Sequence, residues 1–300
     1  MLELTVYGII LGSIIALGAI GITLIAHISR MFDFAYGDKM TAGAYIALLV
    51  STLFSMGGLL QGKVGPFSFN WGLMVAFIPA ILITAGLSIL FNRWVYEPLR
   101  RRGAIPILFA MVSMGIAFAL RGLIYILWGA DYHFYSPSVR PMIFLPLGIK
   151  LRTDEVFIMV VAWALVALIY LFLTRVKMGK ALRAVADNPD LARIAGISTE
   201  RMIVWTEGIA GALAAVGGVL YGIETQLRPE MGWLFLLPLF AAAILGSLGS
   251  IRGALVGGLV MGIAQQVSTA WLLPTYKPAV AFIIMVLVLL FRPQGIFGRR

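Results

Sequence analysis

Residues 4–26 read LTVYGIILGSIIALGAIGITLIA, from Leu4 to Ala26, without a single charge. As an α-helix rising 1.5 Å per residue this run is about 35 Å long. A bilayer's hydrocarbon core is ~30 Å thick, so the run is long enough to cross it. Outward from it, the same reading repeats. Met40 to Phe54 is a shorter run after a polar break, and Trp71 to Phe91 is charge-free, with Pro79 as a kink. Ile105 to Trp128 carries only Arg121, Val156 to Leu173 carries no charge, and Met202 to Ile223 carries only Glu207. Three compressed runs follow: Leu234 to Leu248, Ala254 to Leu273 and Ala279 to Phe291. The first and last of these are too short to span upright alone, so they borrow flanking residues or are half-helices buried in protein. Transmembrane barrel strands would alternate apolar and polar over ~10 residues, and these runs are continuous. The predicted fold is an all-α polytopic membrane protein with eight or nine transmembrane helices, interrupted or re-entrant segments and a cytoplasmic elbow.

Composition excludes the other classes. Of the 300 residues, 61% are hydrophobic and 12% charged, against roughly 25% charged in a soluble domain. So little polar surface could not clothe a water-soluble fold, and so much apolar area argues against disorder. Zero cysteines rule out a disulfide scaffold or a thiol nucleophile, and two histidines, His27 and His133, cannot alone form a multi-histidine metal site. The net charge of +10 is read as cytoplasmic loops rich in Lys and Arg, with no nucleic-acid partner. The first run has neither a basic leader nor a clear small-residue cleavage site, so it is expected to stay as a span.

Basic residues also orient the chain. Arg93, Arg100, Arg101 and Arg102 form one cluster. Arg175, Lys177, Lys180, Arg183, Arg193 and Arg201 form a second, and Arg292, Arg299 and Arg300 a third. All three are expected in the cytoplasm. The stretch 129–155 balances Arg140, Lys150 and Arg152 against Asp131, Asp154 and Glu155 and fits the outside, as does the segment around Glu224 to Glu230. With the C-terminus inside, nine crossings put the N-terminus outside and eight put it inside. The pairs Gly8/Gly12, Gly253/Gly257 and Gly258/Gly262 have the spacing that lets helix backbones touch in lipid, within this chain or against a second subunit.

Three segments are candidates for function. Phe32-Asp33-Phe34-Ala35-Tyr36-Gly37-Asp38-Lys39 places two acids and a lysine beside a span. It is either a cytoplasmic turn or a broken helix beside the substrate path, through Asp33, Tyr36 and Gly37. Around Gly246, Ser247 and Gly249 an apolar stretch is interrupted, as a re-entrant helix or a short hairpin. The third is Lys177 to Ile197. Met178, Leu182 and Val185 recur at helical spacing with Lys180, Arg183 and Asp187 between them. Asn188, Pro189 and Asp190 read as N-cap, first helical position and acidic first turn. Leu191, Ile194 and Ala195 follow, and Gly196 fits a C-terminal cap. Two short amphipathic helices with a sharp elbow result, lying on anionic lipid or docked into another protein. The lone intramembrane charges, Arg121 and Glu207, are expected to snorkel toward opposite headgroup layers or to serve a proton or substrate relay. The chain lacks a GxxxxGK[ST] phosphate loop, a G-x-S-x-G, an H-E-x-x-H and a carboxylate pair with supporting histidines, so neither ATP hydrolysis nor other catalysis is expected and no cofactor is implied.

Asp33-Phe34-Ala35-Tyr36-Gly37-Asp38, Gly43-Ala44-Tyr45, Arg183-Ala184-Val185-Ala186-Asp187-Asn188, Ala195-Gly196-Ile197, Ala243 through Ile251 and Arg292 through Gly298 occur in this order. Together they resemble the membrane permease subunit of bacterial branched-chain amino acid ABC importers, from the first span to the tail. The resemblance implies one permease domain, residues 1–300, in a bacterial cytoplasmic (inner) membrane. It implies pairing with a second permease subunit, two ATPase subunits below and a periplasmic or surface-anchored substrate-binding protein above. It also implies that a loop of about 174–201 couples to the ATPases through Gly179, Leu182, Arg183, Ala184, Asp187, Asn188, Pro189, Leu191 and Gly196. The family usually has Asn-Phe-Ala-His-Gly where this chain has Asp33 to Gly37. It more often has neutral residues near Arg121 and Glu207. Relatives of this architecture also import urea, short amides and other small polar solutes. A different class, a stand-alone ion-coupled transporter using Asp33, Glu207 or Arg121, is the rival.

Overall fold

Every apolar run is helical in the computed structural model, which describes all residues except 59, 61, 136–141, 145–149, 293, 299 and 300. Arg140, Pro293, Arg299 and Arg300 therefore lie outside the described residues. Helix α1 (Leu2–Leu24) continues through a π turn, Ile25–Ser29. It is followed by α2 (Tyr36–Met56) and α3 (Trp71–Phe91), and a second π turn leads into the short α4 (Glu97–Arg101). Then come α5 (Pro106–Trp128), a small antiparallel hairpin of β1 (Met142–Phe144) and β2 (Lys150–Arg152), and α6 (Thr153–Arg175). The elbow is α7 (Lys177–Asp187) and α8 (Pro189–Ile194). The chain ends with α9 (Thr199–Glu224), α10 (Met231–Gly246), α11 (Ile251–Val267) and α12 (Lys277–Phe291). Among the described residues, eight helical segments are long and apolar enough to cross a bilayer, and α10 is the shorter ninth.

Contacts at the two ends of α10 place it in the bundle. At its start the Tyr125 hydroxyl, at the end of α5, donates to Glu230. That end of the molecule also holds the Tyr7–Lys150 hydrogen bond at 2.7 Å and the bridge between His133 and Leu227. At its other end Leu245 accepts from the N–H of Ile296 at 2.8 Å, and the neighbouring Gly249 abuts His27 at the exit of α1. So α10 joins these two ends, at about 24 Å for sixteen residues, a shorter rod than the eight long helices beside it. The nine helices alternate, with the N-terminus at one end of the bundle and the C-terminal tail at the other. The elbow, α4 and the tail share the tail's end, here the basic end; β1, β2 and the α9–α10 turn mark the far end.

Glycine sets how closely these helices pack. In lipid, apolar side chains gain little by leaving the tails, so close contact must supply the attraction. A Cβ on Gly262 would fall 2.2 Å from the Gly12 nitrogen, and one on Gly258 would fall 2.4 Å from the Ala16 Cα. These pairs lock α1 to α11, which makes the glycine motifs intramolecular. Gly253 and Gly257 turn the other way: a Cβ there would meet Gly246 O at 1.9 Å and Ala242 O at 2.1 Å. Thus α11 is clasped between α1 and α10, while α12 leaves nearly all its side chains at the periphery.

Candidate functional site

The elbow at the basic end is built by local chemistry. Val176 is extended and breaks α6 from α7. Asn188 is extended too, with φ −153° and ψ 102°, and its side-chain oxygen accepts from the N–H groups of Asp190 and Leu191, each at 3.1 Å. Pro189 occupies the first helical position, where its missing N–H costs nothing. Gly196 adopts φ +83°, and the N–H of Ile197 reaches back to Ala192 at 2.9 Å, a Schellman closure. Both ends of α8 are therefore fixed.

The apolar stripe of α7 faces inward. Gly179 is pressed on the end of α6, where a Cβ would lie 2.2 Å from Phe172 O, and Leu182, Val185 and Ala186 are buried in the main core. Gly179 and Leu182, expected among the ATPase-coupling residues, seat the elbow on its own bundle. Ala184 is half-buried. What the elbow shows to its surroundings is Lys180, Arg183, Asp187, Asn188 and, from α8, Leu191 and Ile194, 63% and 84% exposed. Sequence reasoning named Ile194 only as part of the helix pattern; its exposure follows from how α7 docks.

A second constellation lies inside the bundle. Helix α2 begins at Tyr36, earlier than the apolar run suggested, so Asp38 and Lys39 sit in its first turn and are fully buried. Asp33 accepts from the N–H of Ala35 at 3.0 Å, from the Tyr96 hydroxyl at 3.1 Å and from Lys39 at 2.6 Å. Lys39 also stands 3.6 Å from Glu207 of α9. Asp38 receives both Nε and an Nη of Arg121 at 3.0 Å, and that guanidinium stacks over Trp233, 4.8 Å from the ring centroid. The segment is thus not a turn facing water. Nor do the two intramembrane charges snorkel: the side chain of Arg121 is 13% exposed and that of Glu207 wholly buried, each with a partner inside the bundle. Isolated charges in such surroundings cost several kcal/mol each, and pairing removes most of that. The partners of Arg121 and Glu207 are far away in the chain, so no local pattern could have announced them.

Of the residues expected to line a substrate path, Asp33 is held by the contacts just described. The Tyr36 ring covers Gly21, and Gly37 meets α10 so closely that a Cβ would fall 2.3 Å from Gly232 O. Thr41 fixes the same contact by accepting from the N–H of Gly232 at 3.0 Å. Gly246 ends α10, and Ser247 and Gly249 form the turn to α11 with φ +87° and +102°. That turn is a tight hairpin, covered by the C-terminal tail through Gly295 and Ile296. The structure therefore brings the start of α2 onto α10, with Phe34 and Phe240 rings 5.4 Å apart, and places the Gly246–Gly249 turn at the basic end of the same helix. Gly249 borders a cavity of about 400 Å³ shared with His27, Arg183 and Arg252.

A helical bundle with a capped elbow at its basic end and a charge network inside is matched by known proteins along its whole length. The family model described as branched-chain amino acid transport system / permease component covers residues 4–289. The high-affinity branched-chain amino acid transport system permease protein BraD of Pseudomonas aeruginosa is 33% identical over 99% of this chain and 96% of its own. The permease protein LivH of the corresponding system in Escherichia coli K12 is 32% identical over 97% of this chain and 94% of its own. Among solved structures, PsaBC from Streptococcus pneumoniae in complex with Fab aligns with a TM-score of 0.52 over 99% of this chain and 93% of that one, at 16% identity, a likeness of fold. Membrane-spanning throughout, built without a phosphate loop and matched from end to end, the chain belongs to the permease component family of branched-chain amino acid transport systems.

Proposed function

We propose that this permease imports branched-chain amino acids within a complex containing a second permease subunit, two ATPase subunits on the cytoplasmic side and an external substrate-binding protein. The observation that carries the reading is the elbow: a corner rigid at both ends, seated on the bundle through Gly179 and Leu182, offering Leu191 and Ile194 outward from the basic end. An exposed apolar pair on a stiff, basic platform suits a groove in a cytoplasmic partner. Motion of that partner would reach α6 and α9 directly, because α7 and α8 connect them without slack. The buried charges Asp33, Asp38, Lys39, Arg121 and Glu207 are engaged with one another, which leaves the ion-coupled carrier without a specific observation in its favour.

The experiment is reconstitution. The purified chain alone in liposomes should neither hydrolyse ATP nor accumulate leucine. Liposomes holding the chain with its partner permease and ATPases, supplied with binding protein and internal ATP, should accumulate it. Accumulation by the chain alone under an ion gradient would overturn the reading.

A further inference from the structure

At the far end the helices part around a cavity of about 700 Å³, a volume within the roughly 300–1,000 Å³ of small-molecule sites. Its lining is divided by chemistry. One wall is apolar, made by Leu11 of α1 with Leu234, Phe235 and Pro238 of α10. Phe235 stacks on the Tyr221 ring with centroids 4.2 Å apart, which stiffens that wall. The lining also carries charge: Glu224 at the end of α9, Arg228 in the turn that follows and Lys277 at the start of α12.

The cations there are not equivalent. Lys277 donates to Gln266 at 2.8 Å, and Arg152, also at the cavity, is held by Glu155 at 3.3 Å. Arg228 makes no side-chain hydrogen bond or ion pair among the described residues, and it is only partly exposed. A guanidinium presents a planar fork of donors that matches a carboxylate with two parallel hydrogen bonds. Glu224 supplies the opposite sign in the same lining.

We infer that this cavity is a binding site for an α-amino acid zwitterion with an aliphatic side chain, in which Arg228 takes the α-carboxylate, Glu224 the α-ammonium, and the Leu11–Phe235–Pro238 wall the side chain. The inference rests on the importer reading above and deepens it, since the far end is the side from which cargo arrives. It also separates candidate cargoes. Urea and short amides carry no charge to match the Arg228–Glu224 pair and no tail to cover the apolar wall. An amine or a fatty acid offers a counterpart to only one of the two charges.

The test uses the assembled complex, reconstituted with its partner permease and ATPases. The chain contains no cysteine, so Thr275→Cys, on the cavity lining and exposed, is a single reporter. Leucine should protect this thiol from a maleimide. Urea should not. Arg228→Gln should raise the leucine concentration for half-protection by about tenfold or more, the usual cost of one hydrogen bond to a charge. Arg228→Lys should recover part of the loss. Two one-charge probes distinguish recognition from general damage. Arg228→Gln should weaken protection by 4-methylpentanoate and leave that by 3-methylbutylamine unchanged, and Glu224→Gln should do the reverse. Leucine uptake by the wild-type complex without leucine protection of the reporter overturns the cavity assignment and leaves the importer reading standing. Protection that both substitutions leave unaltered overturns it too. A wild-type complex that accumulates no branched-chain amino acid overturns the importer reading instead, whatever the reporter does.

Discussion

Arg121 and Asp38 show how a membrane protein keeps charge in its interior. The guanidinium engages both carboxylate oxygens at 3.0 Å and lies over Trp233, so the pair is neutralised and its remaining faces are covered. Removing one partner leaves the other buried and alone, which typically costs about 3–5 kcal/mol. Arg121→Leu should therefore lower the thermal midpoint of the purified protein sharply, and the double change Arg121→Leu, Asp38→Leu should recover most of it. If the double variant is as unstable as the single one, the pair is not what Arg121 is for. Read alone, Arg121 and Glu207 looked like snorkelling side chains, because that reading uses only distance from the end of an apolar run. Their true setting depends on Asp38 and Lys39 arriving from a different helix. The polar break around Asp33 was legible as unusual, and its burial was not.

At the scale of elements, the clasp of α11 between α1 and α10 is a backbone-to-backbone contact that only glycine permits. Gly258→Ile would drive a branched side chain into Ala16 of α1, where even a Cβ would lie at 2.4 Å. Overpacking of this kind costs roughly 1–3 kcal/mol or forces the helices apart. A lower thermal midpoint in detergent is expected, while the same change at Gly115, with nothing near its Cβ position, should have little effect. The glycine spacing announced close contact but not between which helices. The elbow was more legible still. Asn188, Pro189 and Gly196 act through their own neighbours, so capping chemistry predicted both ends of α8. The inward turn of α7 was not legible, because whether Leu182 faces lipid, a partner or its own bundle depends on where α6 ends and on Gly179 letting the backbones meet.

For the whole molecule, nine alternating helices place the two termini at opposite ends, and the uneven spread of basic residues says which end is cytoplasmic. Single thiols in the cysteine-free chain check this. Glu3→Cys and Asp131→Cys should react with a membrane-impermeant maleimide in intact cells, and Lys180→Cys only after the membrane is opened. Reaction of Glu3→Cys only in opened membranes would mean eight crossings. The class and the span positions followed from hydropathy alone, but α10 was ambiguous at sixteen residues. Its place in the bundle is fixed by contacts at its two ends, Glu230 with Tyr125 and Leu245 with Ile296, which no local run of sequence contains.

On the function proposed above, force from ATP-driven partners enters this permease through α7 and α8. Leu191→Asp and Ile194→Asp change two exposed side chains, so the fold itself should be untouched, whereas a charge placed in an apolar docking groove is costly. Asn188→Ala with Pro189→Gly removes the cap, worth about 0.5–2 kcal/mol, and softens the corner. The direct measurement is ATP-driven leucine uptake by the reconstituted complex, followed together with its ATP hydrolysis. All three variants should insert and express normally yet lose uptake, either by releasing the ATPases or by hydrolysing ATP without transport. Uptake at the wild-type rate in all three would contradict the account.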